Sequence, residues 1–260
     1  LAIGMFDGSV TLGDAPALNG AFSLNAPSLA EVAKFASVEL PVNIAPLGAG
    51  NMKGSVSGPF DALKINFDDL DLKSDLLDLG FTGSVDLKET PVVDGQLQAA
   101  ASNTGELLKQ MGIEVPAEDA LEKVNIAGKV SGPADALSLT GLDIKHSGAL
   151  LNASYKGQAS LAGDGSLKGT IDASSNELRA LLKAADVEMP NGDTMKTFST
   201  AGDISGSFKK LSISNLNFAL DDIRATGTAG LNLAGAKPLL TGDLDMGELD
   251  LSPFLAAEDQ

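Results

Sequence analysis

The feature that most constrains the fold of this chain is that its sequence repeats itself about every 74 residues. A Glu-x-Pro marker occurs three times and ends at Pro41, Pro116 and Pro190. A glycine-rich decapeptide that begins at Gly54 matches the one that begins at Gly128 at eight of ten positions, and a diverged copy follows after a similar interval. Repeats of this length predict supersecondary units that stack on their neighbours. We therefore expect a body that is elongated along one axis and a function that belongs to a continuous surface.

Regularly spaced glycines define the expected limits of the units. They lie at Gly20, Gly95, Gly169 and Gly242. No stretch rich in Pro, Gly, Ser or charge is long enough to be a flexible joint between domains. We expect a single repeat body over 1–260, with approximate units 20–94, 95–168 and 169–241 and a partial unit 242–260.

Between the markers, apolar residues alternate with polar ones, which is the pattern of half-buried β-strands. The longest alternating stretches cover 79–87, 151–161 and 223–233. Shorter stretches lie at 137–139, 142–144, 211–213 and 216–218. Each repeat would then hold about five strands joined by hairpin-length turns. This pattern predicts a mainly β protein with a strongly curved antiparallel sheet.

One short helix is predicted in each repeat, just before the Glu-x-Pro marker. Ser28, Asn103 and Ser174 each precede a glutamate by three residues, which is the pattern of an N-terminal capping box. Apolar residues at helical spacing follow, and the proline of the marker ends each segment. Because helices this short are not stable alone, we expect their apolar faces to dock on the sheet or across one end of a groove.

The composition excludes several classes of function. The formal net charge of −17 argues against binding nucleic acid and against lying flat on an anionic membrane leaflet. The chain has no cysteine, which excludes disulfides and thiolate metal sites. No apolar run approaches the roughly 20 residues that a membrane-spanning helix needs. The chain begins at Leu1 without the basic region of a signal peptide, so we expect it to be part of a longer protein.

No catalytic constellation stands above background in the sequence. His146 is the only histidine and is interpreted as an ordinary strand or turn residue. Ser207 and Lys210 fit the Ser-x-x-Lys pattern of penicillin-binding enzymes, but its companion motifs are absent. Asp68, Asp69 and Asp71 (the next acidic residue along) suit weak calcium binding, although the other repeats lack this cluster and a solvated polar edge is favoured. We therefore predict no enzyme activity, no metal site and no cofactor.

The stripe of alternating apolar residues has two interpretations. It is either the closed core of a β-sandwich, or an open apolar groove that runs along a bent sheet. Aromatic residues are only 4% of the chain and one short helix is expected per repeat, so little is available to fill or cover a closed interior. This favours the groove. Its candidate lining residues are Phe22, Leu24, Leu79, Phe81, Val85, Leu87, Leu97, Leu151, Tyr155, Leu167, Ile171, Ile223, Leu231 and Leu244.

The predicted helix at 176–182, followed by Val187-Glu188-Met189-Pro190, resembles the repeated signature of the AsmA-like envelope proteins of Gram-negative bacteria. Residues 242–255 also resemble the segment that closes the modules of those proteins. The resemblance covers essentially the whole chain. It implies an N-terminal inner-membrane helix, a periplasmic body of repeated β-groove, and a role in moving phospholipids or maintaining the outer membrane. It carries over no catalytic residue.

The resemblance implies that this chain is the periplasmic part of a protein tethered to the inner membrane by an anchor that the sequence does not include. Its expected partners are phospholipid acyl chains and other envelope proteins. The apolar face would shield the acyl chains from water, which is worth about 0.8 kcal/mol per buried methylene. The alternative is a structural or interaction scaffold that has a closed apolar core and binds protein along its sheet edges.

Overall fold

The structure is a computed structural model that describes residues 2–13, 15–35, 43–115, 117–187, 194–235 and 237–247. The marker prolines Pro41, Pro116 and Pro190 lie outside these residues, as does 248–260, which holds most of the closing segment. Within the described residues no helix has the length and apolar character that crossing a bilayer requires.

The described residues form one sheet of fourteen strands. The strands are β1 (Ile3–Thr11), β2 (Ala17–Ala26), β3 (Ala49–Pro59), β4 (Leu63–Lys73), β5 (Leu77–Leu87), β6 (Val92–Ala101), β7 (Lys123–Pro133), β8 (Ser138–Ser147), β9 (Asn152–Ser160), β10 (Ser166–Ser175), β11 (Phe198–Ser207), β12 (Lys210–Leu220), β13 (Ile223–Asn232) and β14 (Leu239–Met246). Their order in the sheet is their order in the chain, and every neighbouring pair is antiparallel. The predicted mainly β, antiparallel architecture is confirmed.

Three short α-helices lie in the described part of the chain. They are α1 (Leu29–Phe35), α2 (Thr104–Gln110) and α3 (Leu178–Ala184), and they connect β2 to β3, β6 to β7 and β10 to β11. Two 3-10 turns, Ala45–Leu47 and Glu118–Ala120, follow α1 and α2. Four strands separate one α-helix from the next, so the expected number of about five strands per unit is wrong.

The miscount has a physical cause in β8 and β12. The register of β8 with β9 shifts between Leu139 and Leu142, and that of β12 with β13 shifts between Ile213 and Leu216. Each shift marks a β-bulge, which adds one residue to one strand and interrupts the two-residue alternation of its side chains. The alternating stretches 137–139 and 142–144 were therefore predicted as two short strands, but they lie on either side of one bulge in β8. The stretches 211–213 and 216–218 lie in the same way within β12.

The glycines that begin the repeated decapeptide and its diverged copy lie opposite bulges of this kind in β4, β8 and β12. Gly54, Gly128 and Gly202 belong to β3, β7 and β11, and the pairing of each strand with the next shifts register beside its glycine. A Cβ added to Gly54 would lie 1.9 Å from the carbonyl oxygen of Asn66, a distance that no side chain tolerates. Glycine is thus required here because the bulged strand approaches its neighbour too closely for any larger residue.

The predicted helix caps are found at α1 and α2. The amide of Glu106 donates to Oδ1 of Asn103 at 3.0 Å, so Asn103 is the N-cap of α2. The amide of Glu31 donates to Oγ of Ser28 at 3.4 Å, just before α1. These bonds satisfy amides that have no partner within the helix, which fixes where each helix begins.

The predicted cap at Ser174 is wrong. Ser174 lies inside β10, and it is Ser175 whose Oγ accepts a hydrogen bond from the amide of Glu177 at 3.1 Å. α3 begins after Glu177 without a side-chain cap. The ladder between β10 and β11 continues through Ser175, because strand pairing satisfies these backbone groups better than an earlier helix start would.

The sheet is open, and the described residues do not enclose a large hydrophobic core. Few apolar residues are buried, among them Val56, Leu77, Val130, Leu142 and Leu216, and none of the large side chains is less than 2% exposed. The accessible surface is 16238 Å², against about 10,600 Å² for a compact globular protein of this mass. The open sheet contributes to this difference, because much of its surface stays accessible.

Candidate functional site: the apolar face of the sheet

The registers of the sheet divide its side chains between two faces. Residues paired directly across antiparallel strands point to the same side, and residues two apart in one strand do as well. Phe81 pairs with Leu97, and Leu97 pairs in turn with Gly128. Following such pairs from β1 to β14 gives one continuous face of almost entirely apolar residues, which we call the apolar face.

Thirteen of the fourteen candidate groove residues lie on this face. They are Phe22 and Leu24 on β2, Leu79, Phe81, Val85 and Leu87 on β5, Leu97 on β6, Tyr155 on β9, Leu167 and Ile171 on β10, Ile223 and Leu231 on β13, and Leu244 on β14. Leu151 differs because it precedes β9, in the turn where its carbonyl accepts a hydrogen bond from the amide of Gly148 at 3.0 Å.

The opposite face, called the polar face, carries charged and amide side chains. Lys129 pairs with Asp94 at 3.2 Å, and Asp143 lies within 3.6 and 3.8 Å of Lys145 and Lys156. These ion pairs are largely exposed, so each contributes little to stability. They show instead that this side of the sheet faces water, which leaves the apolar face as the side that needs an apolar partner.

Three phenylalanine rings make a cluster near the β1 end of the apolar face. Phe22 on β2 and Phe67 on β4 have ring centroids 6.1 Å apart, and Phe67 and Phe81 have centroids 6.0 Å apart, both edge to face. Gly54 of β3 pairs with both Phe22 and Phe67 and so lies between them. Because strands are spaced about 4.8 Å apart, rings two strands apart meet only where the intervening residue has no side chain.

Aromatic rings also cover glycines on neighbouring strands, a feature that sequence reasoning missed. A Cβ on Gly20 would lie 2.6 Å from the Phe6 ring, and one on Gly95 would lie 2.5 Å from the Phe81 ring. A glycine has no side chain to pack against its neighbours, and a ring placed over it from the next strand supplies this apolar contact. The signal was present as an aromatic-x-Gly pattern at Phe6, Phe81 and Tyr155, at the period of the repeat.

Tyr155 shows how the face stays apolar around a polar atom. Its hydroxyl donates to the carbonyl of Gln158 at 2.7 Å, and the carbonyl of Lys168 lies 3.1 Å away. Burial raises the pKa of the Tyr155 hydroxyl. The hydroxyl is therefore neutral and satisfied by the backbone, and the ring presents hydrocarbon.

The two ends of the strands carry different kinds of connection. We call the end that carries α1, α2 and α3 the helix edge, and the opposite end, where short turns join each odd-numbered strand to the next, the turn edge. At the helix edge the Leu29 side chain of α1 lies over Gly50, where a Cβ would meet it at 2.8 Å. Leu107 of α2 is 7% exposed and Ala120 is 2% exposed. The start of α1 and the connection through α2 therefore cover this end of the sheet.

α3 covers the helix edge less tightly. None of its residues is buried, and Leu181 and Leu182 are half-buried. The segment after it is held by Asp221, whose carboxylate accepts hydrogen bonds from the amides of Met195, Lys196 and Thr197. This end of the helix edge is thus stabilised by polar contacts more than by packing.

The polar face contains a shallow cavity of about 490 Å³ bordered by Asp71, Asp78, Asn125, Asp143 and Lys145. Among the described residues no three acidic, histidine or cysteine side chains are arranged to hold a metal ion. The cavity opens widely to solvent, and two of its carboxylates already form ion pairs, Asp143 with Lys145 and Asp78 with Lys73.

The chain matches no protein-family model, and neither a curated protein nor a solved structure shows detectable similarity to it. The resemblance to AsmA-like proteins therefore rests on the residues quoted above and remains a prediction.

Proposed function

We propose that this chain is the periplasmic part of an AsmA-like, inner-membrane-anchored protein, and that it shields phospholipid acyl chains on its apolar face as they move between membranes. In this role it would support the integrity of the outer membrane. The observation that carries the proposal is the continuity of the apolar face from β1 to β14 on an open sheet.

The size of the apolar face suits this role. Fourteen strands at about 4.8 Å spacing extend over roughly 60 Å along the sheet, which is about twice the hydrocarbon thickness of a bilayer. Exposed apolar surface of this extent is rare on soluble proteins without a partner. Acyl chains are a fitting partner because they need only apolar contact and no hydrogen bonds.

Three recurring features support the finer proposal of a curved groove built from repeats. An α-helix recurs after every four strands. A bulge recurs opposite Gly54, Gly128 and Gly202. The unit markers Gly20 and Gly95 lie at matching places in β2 and β6. Because bulges bend strands and increase their twist, bulges at the same level of successive units would curve the sheet along its whole length.

The mechanism we propose is passive. Each methylene that leaves water for the apolar face contributes about 0.8 kcal/mol, so a lipid is held without any specific polar contact to its chains. Head groups stay off the apolar face, at an edge of the sheet. Movement along the face requires only exchange of one set of apolar contacts for another, and direction comes from partners or lipid gradients.

A second candidate is an interaction scaffold that binds other envelope proteins along its sheet edges. It is favoured by β1 and β14, each of which pairs on one side only within the described residues and has every residue exposed. Ile3 and Met5 are 63% and 71% exposed on the polar face of β1. Unpaired strands of this kind readily accept another strand.

The proposal is tested by placing a charge on the apolar face. We expect Val85→Asp to fold, because the charge reaches water on an open sheet, and to lose photocrosslinking to phospholipid. The matched control is Thr82→Asp on the polar face of the same strand, which should fold and retain crosslinking. Native mass spectrometry of the unmodified chain should show bound phospholipid.

Three results would count against the proposal. If Val85→Asp and Leu231→Asp are insoluble while Thr82→Asp folds, the face is a closed core and the scaffold is favoured. If they fold and still crosslink lipid, the lipid does not lie at these residues. A protein that carries no lipid in its native mass spectrum and takes none from vesicles would also exclude the proposed role.

A further inference from the structure

The turn edge carries most of the large apolar side chains that are exposed away from the two terminal strands. They are Leu12 (81% exposed), Phe60 (50%), Leu87 (39%), Leu161 (44%), Phe208 (43%) and Leu233 (45%). At the helix edge, among the described residues outside β1 and β14, only Val187 is comparably exposed, at 46%. The row spans the turn edge from the β1–β2 connection to the β13–β14 connection, so the asymmetry belongs to the whole sheet.

These turns are held in place by one another. The amide of Phe60 donates to the carbonyl of Pro16 in the preceding turn at 3.2 Å. The amide of Leu233 donates in the same way to the carbonyl of Lys209 at 2.7 Å. The ring of Phe208 covers Gly165 of the neighbouring turn, where a Cβ would lie 2.2 Å from it. The exposed apolar groups therefore form an ordered row and are not loose loop tips.

Charges of both signs accompany this row. Asp86 lies 3.7 Å from Lys64 and 3.6 Å from Lys88 at the β5 end of the turn edge. Asp164 and Lys209 form an ion pair that links the β9–β10 and β11–β12 turns. A zwitterionic head group offers a phosphate to the lysines and an ammonium to the aspartates, so it complements both members of each pair.

The helix edge offers no such passage in its best-packed part. Leu29 covers the apolar face at the start of β3, and Leu107 is buried in the α2 connection. His146 is also buried there, and its Nε2 accepts a hydrogen bond from the amide of Glu122 at 3.1 Å. A lipid that crossed at this edge would have to displace these contacts.

We propose that phospholipids enter and leave the apolar face across the turn edge. The exposed Phe and Leu side chains contact the first part of each acyl chain as it crosses, and the lysine–aspartate pairs hold the head group. This inference rests on the proposed function, since it assumes that acyl chains lie on the apolar face. It adds the edge of the sheet across which the lipids reach the apolar face.

The chain offers a natural pattern for the test. The β3–β4 and β11–β12 turns present Phe60 and Phe208, whereas the corresponding β7–β8 turn presents Ala134. A Phe60→Ala/Phe208→Ala double variant therefore makes these two turns resemble one that the protein already has. Val187→Ala is the matched control, because Val187 is equally exposed at the helix edge.

The experiment measures transfer of an acyl-labelled fluorescent phosphatidylethanolamine from phosphatidylcholine vesicles to the intact chain. We expect the double variant to take up lipid more slowly by a factor on the order of five, which corresponds to about 1 kcal/mol in the barrier. The amount bound at equilibrium should be unchanged. Val187→Ala should match the unmodified protein in both rate and amount.

A crosslinking arm separates failure of this inference from failure of the proposed function. Benzoylphenylalanine is placed in turn at Phe81 on the apolar face, at Phe60 and at Val187. Crosslinks at Phe81 and Phe60 but not at Val187 support entry across the turn edge. Crosslinks at Phe81 with Val187 equal to or above Phe60, or equal uptake rates in all variants, overturn it. Absence of any crosslink at Phe81 would overturn the proposed function and this inference with it.

Discussion

The two edges of the sheet place similar residues in opposite environments. At the helix edge, leucine and alanine side chains such as Leu107 and Ala120 are buried. At the turn edge, Leu12 and Phe60 extend into solvent. The strands between them are the same, so the difference comes from the connections alone. It indicates that the helix edge supplies stability, whereas the turn edge is free to make contacts outside the molecule.

The two edges also differ in whether side chains or backbone groups make their hydrogen bonds. Buried and half-buried side chains at the helix edge, including His146 and Asp221, hold backbone amides of distant segments. At the turn edge, backbone hydrogen bonds join one turn to the next, and side chains such as Leu12 and Phe60 remain exposed. Substitutions at the helix edge should therefore lower the free energy of unfolding, and substitutions at the turn edge should alter function.

The largest effect is expected for Leu107→Ala in α2. Because Leu107 is 7% exposed, truncation should lower the free energy of unfolding by about 2–4 kcal/mol. Leu161→Ala at the turn edge removes the same atoms from a residue that is 44% exposed, and should cost well under 1 kcal/mol. Urea denaturation of both variants checks this. Equal losses would remove the distinction between the edges.

The next effect is expected for His146→Phe. It removes the acceptor of the Glu122 amide and leaves a part-buried donor without a partner, at a cost of about 1–3 kcal/mol. His146→Gln restores an acceptor and should recover part of the loss, while Lys145→Ala on the polar face should change little. If the phenylalanine variant is as stable as the original chain in thermal denaturation, this bond does not hold the helix edge.

A smaller and pH-dependent effect is expected for Asp221→Asn. Burial raises the pKa of the Asp221 carboxyl, but hydrogen bonds from the amides of Thr197, Lys196 and Met195 outweigh it, so the pKa lies below its ordinary value of 3.8. The folded state thus favours the charged form. Its contribution is present above pH 3.8 and is lost as the pH falls through the lower folded pKa.

The substitution should therefore lower stability by about 1 kcal/mol at neutral pH, a modest value because the carboxylate is partly solvated. The difference between the two proteins should shrink as the pH falls below 3.8. Chemical denaturation at neutral and at acid pH measures it. A difference that is constant with pH would show that the charge of Asp221 does not hold the 195–197 segment.

The smallest effect on stability is expected for Phe60→Ala and Phe208→Ala. Both rings are about half exposed, and substitutions at such positions usually change stability by no more than about 0.5 kcal/mol. Thermal melting of each variant tests this. A marked loss of stability would mean that the turn edge, like the helix edge, is part of the structural framework.

The strands could be predicted from the sequence where the two-residue alternation continued without interruption. Strict alternation in β5, β9 and β13 gave both the strands and the face on which Phe81, Tyr155 and Leu231 lie. It failed at the bulges of β8 and β12, because one added residue reverses the alternation and imitates a strand boundary. The predicted cap at Ser174 was wrong because the ladder between β10 and β11 continues through Ser175, and α3 begins after Glu177 without a side-chain cap.

The candidate site could be predicted only in part. Because the strands pair in register, residues chosen by two-residue alternation in separate strands lie on the same face of the sheet. This assignment required no knowledge of the strand order. The two edges could not be distinguished in this way. Leu12, Phe60 and Phe208 are single apolar residues in turns, where no periodicity assigns a direction. Their exposure depends on how neighbouring turns hydrogen-bond to one another.

The strictly sequential order of the strands has a consequence for how the molecule forms. In the described part of the chain, each strand pairs only with the strand before and after it, and the longest connections within a pair are the roughly 20 residues that hold a helix. Closing such short loops costs little entropy. Folding should begin at any hairpin and spread in both directions, faster than in sandwiches built from distant strands. A growing chain would gain structure one hairpin at a time, and a defect in one strand would halt the spread without undoing the part already formed.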